Sequence, residues 1–146
     1  MNVEIFEEDC SSVADAASLK KLAEHVLREE GVGEGVELSL ALVGPLKIKE
    51  LNSVFLFRDE VTDVLAFPME EMVENDDHFI LGDVVICPEE VDVRKELYEI
   101  GEGDELAFVL IHGVLHLLGY DDLTEEGNQE MDRRAREILE KAKGLM

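Results

Sequence analysis

Residues 104–122 read DELAFVLIHGVLHLLGYDD, and the fold turns on them. From Leu106 to Leu118 the run is apolar nearly all round, broken only by two imidazoles and a glycine. A helix over about 104–118 therefore has to be covered on every side and stand at the centre of the molecule. His112 and His116 are four positions apart, which on a helix puts one above the other on the same face, so both rings can address a common centre. Gly119 is the residue type that ends a helix in a left-handed conformation without steric penalty, and Asp122 follows three residues later. Two ring nitrogens and a carboxylate would hold a divalent ion and leave one tetrahedral position open, the arrangement of a catalytic zinc site. A single histidine in such a helix is ordinarily a core residue. Here two of the chain's four histidines stand at ligand spacing in its most hydrophobic segment. Unpaired, they would be costly to bury, and a bound cation would satisfy both. The expected ligands are His112, His116 and Asp122, with one Zn2+ per chain. Cys10 and Cys87 lie far apart without CxxC spacing, so the site has nitrogen and oxygen donors and the thiols are expected to be reduced.

Outward from this helix, extended and helical patterns alternate. NVEIFE, residues 2–7, alternates as a strand, and Ser12 followed by Asp15 resembles a capping box opening a helix from about 14 to 30, ended by Gly31. VELSLALV, residues 36–43, alternates again, and Pro45 suits the first turn of a short helix through LKIKELNSVF. VTDVLAFP, residues 61–68, and FILGDVVIC, residues 79–87, are expected to pair as neighbouring strands across the acidic stretch EEMVENDD. Pro88 opens a helix to about Glu99, and Thr124 opens a terminal amphipathic helix carrying Arg133, Arg134 and Arg136. The expected class is α/β (α+β): one domain, residues 1–146, with a short mixed sheet and helices packed on it around the central histidine helix.

Composition narrows the function. At 146 residues and 46% hydrophobic, the chain can bury a real core, and no window approaches a membrane span. The opening MNVEIFEEDC lacks the basic end and apolar run of a signal peptide, so cytoplasmic residence is the expectation. The formal net charge of −23 repels phosphates on average. Any nucleic-acid substrate therefore needs a local basic patch, a metal bridge or a basic protein partner. Lys47, Lys49 and Arg58 are the nearest thing to such a patch, a pattern that equally fits a solvated helix face.

Three segments in order, LNSVFLFRDEVTDVLAFP (51–68), LGDVVIC (81–87) and HGVLHLLGYDD (112–122), resemble the signature stretches of the bacterial YbeY family, metal-dependent endoribonucleases of ribosomal RNA maturation. The resemblance spans about half of the chain. It implies a zincin-like fold, zinc at the histidine helix, and cleavage of single-stranded RNA in finishing the 3′ end of small-subunit ribosomal RNA and in ribosome quality control. It also implies ribosomal RNA, small-subunit ribosomal proteins and the GTPase Era as partners, with neither a membrane nor DNA. Two positions depart from the pattern. Asp122 stands where the family usually has a third histidine, and an extra negative ligand should make bound water less acidic, so that activity needs a higher pH or a different metal. Leu56 stands where the family commonly has an arginine for substrate phosphate. Arg58 is the candidate substitute, since residues i and i+2 of an extended segment face the same side.

Gly113 follows His112, where a zinc protease of the HExxH type has its glutamate general base. Phosphodiester cleavage depends less on that position, because a metal can polarise the phosphoryl oxygen while delivering hydroxide. Asp121 and Asp63 are the candidates for proton transfer. Each also has a structural alternative, Asp121 anchoring the turn after Gly119 and Asp63 capping a strand end. Asp83 and Glu105 are candidates for orienting a ligand imidazole. Two other classes stay open: a metalloprotease with a His/His/Asp zinc site, and a non-catalytic, metal-stapled ribosome-assembly factor.

Overall fold

Alternation in residues 36–43 sets the layers. In the computed structural model, which describes residues 1–10, 15–72 and 79–144, this segment is strand β2 (Val36–Val43), following β1 (Asn2–Glu8) and α1 (Ala16–Glu29). Helix α2 (Pro45–Leu56), β3 (Val64–Met72), β4 (Phe79–Ile86) and α3 (Pro88–Val93) come next. A 3-10 turn, Lys95–Tyr98, then leads to α4 (Glu105–Leu117) and α5 (Glu125–Lys143). The sheet order is β1-β2-β4-β3. β1, β2 and β4 run parallel and β3 runs antiparallel to β4. The class is α+β with a mixed four-stranded sheet.

Leu38, Leu40 and Leu42 of β2, with Val84 and Ile86 of β4, face one side and join the apolar faces of α1, α4 and α5. Val43, Leu65, Val85 and Cys87 face the other side and meet Ile48 of α2. Burial of each such aliphatic side chain contributes about 1.5–3 kcal/mol, so the two-sided sheet is where most of the driving force lies. The histidine helix α4 is central as expected: Leu110, Ile111, Val114 and Leu115 have no measurable exposure. Gly113 sets how close it comes to the sheet, because a Cβ there would stand 2.7 Å from Val84 Cγ1 and 3.2 Å from Val64 Cγ2. α5 lays Met131, Ala135, Ile138, Leu139 and Ala142 against the same core. β1 is an edge strand with Glu4, Glu7 and Glu8 exposed along it.

Several boundaries shift. The cap of α1 is Asp15, whose carboxylate accepts the Ala17 N–H at 3.1 Å; Ser12 lies outside the described residues. β3 starts at Val64, whose N–H is taken by the Asp63 carboxylate at 2.9 Å, while the Asp63 carbonyl accepts the Cys87 N–H at 2.9 Å. Its far end absorbs the start of the acidic stretch, whose residues 73–77 lie outside the described ones. The helix opened by Pro88 stops at Val93; the chain tightens into the 3-10 turn and reverses at Glu99, whose φ is +55°.

Candidate functional site

α4, the end of α2, the start of β3 and the first turns of α5 wall a cleft of about 520 Å³. His112, His116, Asp122, Asp63 and Arg58 all line it, so the sequence motifs far apart along the chain meet on one surface. Asp121 is not among the lining residues. Its Oδ1 accepts the Leu123 N–H at 3.1 Å, which makes it the anchor of the turn after α4. Asp83 and Glu105 are also absent from the lining: Asp83 shares sheet parity with Val85, on the side away from α4, and Glu105 accepts the Gly103 N–H at 2.9 Å at the opposite end of the helix.

His112 sits half-buried on α4 with its ring against Phe108, centroids 6.2 Å apart. Burial holds its pKa below the ordinary 6.5, opposed by the negative charges of Asp63, Asp122 and Asp132, while neighbouring His116 pushes it further down. The ring is thereby kept neutral, the form that offers a lone pair to a metal. Its Nδ1 is buried without a hydrogen-bond partner among the described residues. Such an atom costs free energy unless something binds it. Gly119, with φ +107° and open space where a Cβ would be, lets the chain leave the helix and carry Asp122 round to the cleft. Asp122 is exposed on this turn. Among the described residues no three His, Cys, Asp or Glu side chains are yet gathered closely enough to hold an ion. In donor type the residues fit zinc: two imidazoles one helical turn apart, an orphaned ring nitrogen and a carboxylate on the turn that follows.

Asp63 is held from four directions. It accepts hydrogen bonds from the Val64 N–H at 2.9 Å, Thr62 Oγ1 at 3.3 Å and Tyr98 Oη at 2.7 Å, and lies 3.6 Å from Arg94 Nη1. It therefore caps the strand while also facing the cleft. Tyr98, whose pKa is driven up by burial and then by Asp63, stays a neutral donor. The Tyr98 ring packs against Phe108 at a tilt of 47°, centroids 5.9 Å apart, so a chain of contacts runs from Asp63 through two aromatic rings to His112. Arg136 seals the other side of Phe108, its guanidinium carbon 5.3 Å from the ring centroid, and donates to the Tyr98 and Glu99 carbonyls at 2.7 and 2.8 Å. Sequence reasoning missed Tyr98, Arg94 and Phe108 in this role. Tyr98 lies 35 residues from Asp63, too far along the chain for a local pattern to join them.

The segment carrying Arg58 is not extended. α2 runs to Leu56, and Phe57 caps it in the left-handed region, φ 58° and ψ 32°. That reversal, rather than strand alternation, turns both Leu56 and Arg58 toward the cleft. The cleft wall holds four carboxylates, Glu60, Asp63, Asp122 and Asp132, against two guanidiniums, Arg58 and Arg136. The other arginines of α5 are occupied, Arg133 by Glu130 and Glu137, Arg134 by Glu30 and Glu137. No basic patch forms from them.

The model of a family described as Endoribonuclease YbeY matches residues 4–143. The Endoribonuclease YbeY of Bacillus mycoides (strain KBAB4) is 39% identical over 129 residues, covering 84% of this chain and 83% of that protein. That of Bacillus cereus (strain G9842) is 35% identical over 144 residues, covering 92% of each. Among solved structures, TM1509 from Thermotoga maritima, determined in solution, superposes with a TM-score of 0.63 at 30% identity, covering 97% of this chain and 89% of that one.

Proposed function

The chain belongs to the YbeY endoribonuclease family, and from that premise we propose that it is a zinc-dependent, single-strand-specific endoribonuclease acting in maturation of the 3′ end of small-subunit ribosomal RNA and in ribosome quality control. The proposal includes cytoplasmic residence and the small subunit's proteins and the GTPase Era as partners. Among the described residues no helix is long and apolar enough to cross a membrane, which agrees with work in an aqueous compartment.

The observation that most supports this reading is the single cleft on which His112, His116, Asp122, Asp63 and Arg58 converge. His112, His116 and Asp122 would hold the ion. When bound, it would supply Lewis-acid polarisation of a phosphoryl oxygen and lower the pKa of water. Four carboxylates against two guanidiniums make a cleft that draws in a cation and admits a phosphate only after one is present. Arg58, exposed at the cleft mouth, is suited to take a phosphate oxygen of the incoming strand. Asp63, fixed by Tyr98 and Arg94, is the carboxylate best placed to accept a proton within the cleft. Phe108, backed by Tyr98, packs against the imidazole of His112 and holds its orientation.

The protease alternative loses ground at Gly113. A glutamate there, needed as general base, would drive its Cβ into Val84 and Val64. The test is metal content per chain followed by cleavage assays on single-stranded RNA and on casein. RNA cut by the native chain and spared by His116→Ala is the expected result. Casein cut in its place would reinstate the protease, and tight metal with neither activity would make the ion a structural staple of an assembly factor.

A further inference from the structure

Phe57 is the most exposed large hydrophobic side chain among the described residues, 90% accessible. It is displayed in a conformation that bulky L residues rarely adopt, φ 58° and ψ 32°. Nothing buried rewards that strain, so the surroundings must impose it. Asn52 does so. It is the one fully buried polar side chain among the described residues, and its backbone carbonyl accepts the N–H groups of both Phe57 and Arg58, the latter at 3.2 Å. Its Nδ2 donates to the Glu60 carbonyl at 3.0 Å. The turn is therefore clamped, and the ring is held out on a rigid support. Phe55, itself 58% exposed, packs on Phe67 with centroids 5.4 Å apart and makes the base of the turn aromatic as well.

The residues on either side of Phe57, Leu56 and Arg58, line the cleft. What docks here must be flat and apolar on its faces, must lead into the cleft, and must carry an anion that Arg58 can meet. An unpaired nucleobase on its sugar-phosphate strand has all three properties. With a net charge of −23, the chain gains little from long-range attraction to phosphates, and the faces of the bases are a source of affinity that this charge does not oppose. We propose that Phe57, presented by the Asn52-clamped turn, is the stacking platform for an unpaired base of single-stranded RNA beside the cleft, with Arg58 on the adjoining phosphate. This rests on the endoribonuclease reading and adds how the strand is gripped.

The chain has no tryptophan, so Phe57→Trp installs a single fluorescent reporter on the platform. In the full-length protein its emission is expected to be quenched by oligoadenylate and unchanged by an abasic ribose-phosphate oligomer of equal length. Phe57→Gly, which releases the left-handed strain, is expected to melt no lower than the native chain and to bind oligoadenylate about tenfold more weakly. If oligoadenylate leaves the reporter unquenched, or Phe57→Gly binds it undiminished, while the native chain still cuts single-stranded RNA, the platform is wrong and the nuclease stands. If the native chain neither binds nor cuts RNA, both fall together. Quenching that tracks protein concentration in the absence of RNA would assign the patch to self-association and overturn the proposal.

Discussion

At single positions, Gly113 and His112 separate packing from chemistry. The missing glutamate after His112 reads in the sequence as a statement about mechanism, yet the space at Gly113 is already taken by Val84 and Val64. Gly113→Ala is expected to destabilise the fold by about 1–3 kcal/mol, read in a urea titration, because two β-branched neighbours in a filled core have little room to yield. Gly113→Glu is expected not to fold. His112 gives a pH dependence of definite sign. Burial disfavours its protonated form in the folded protein, so between its lowered pKa and the ordinary 6.5 the unfolded chain binds more protons. Stability contributed by the neutral ring is then complete above about pH 6.5 and declines as the pH falls toward the lowered value. Melting temperature measured in EDTA from pH 7.5 to 5 is expected to drop more steeply for the native chain than for His112→Gln.

Among the elements, those with strong local signals were legible. β2 over 36–43, the Pro45 start of α2, the histidine helix and the Thr124 cap of α5 all follow from alternation, ring geometry or a side-chain oxygen at a helix start. What was not legible depends on partners distant in the chain. The break between α3 and the 3-10 turn is stabilised by Arg94 reaching the Val61 carbonyl at 3.2 Å and by Tyr98 reaching Asp63, contacts that no local pattern announces. The route of Arg58 to the cleft is hidden for a related reason: a left-handed cap has almost no signature in the sequence when its residue is phenylalanine rather than glycine. That His112, His116 and Asp122 share one cleft was legible because they sit on one helix and the turn after it. The end of α2 yields a further test. Asn52→Ala removes the Nδ2 bond from a buried side chain to the Glu60 carbonyl and is expected to cost about 0.5–1.5 kcal/mol in urea denaturation.

For the molecule as a whole, charge and cation are linked. A protein whose grip on RNA came from phosphates would lose about a thousandfold or more in affinity between 50 and 200 mM salt. Here the guanidiniums of α5 are already paired with carboxylates, and affinity for oligoadenylate in the same range is expected to change by less than about tenfold, as fluorescence anisotropy would record. Zinc added at about a hundred times its Kd is expected to stabilise the native chain by about 2.7 kcal/mol in thermal melts and to do so far less in His116→Ala. Asp122→His should alter both zinc affinity and the pH profile of cleavage; no change in either would remove Asp122 from the ligand set. The acidic rim of β1 has its own bearing on the molecule's fate in concentrated solution. An outermost strand offers unpaired backbone groups to any other strand that can approach, and Glu4, Glu7 and Glu8 prevent that approach by mutual repulsion between molecules. Replacing all three by threonine would leave the interior untouched while stripping away this safeguard beside the half-exposed Phe6. Such a triple mutant should nucleate amyloid fibrils that bind thioflavin T under conditions where the parent stays monodisperse.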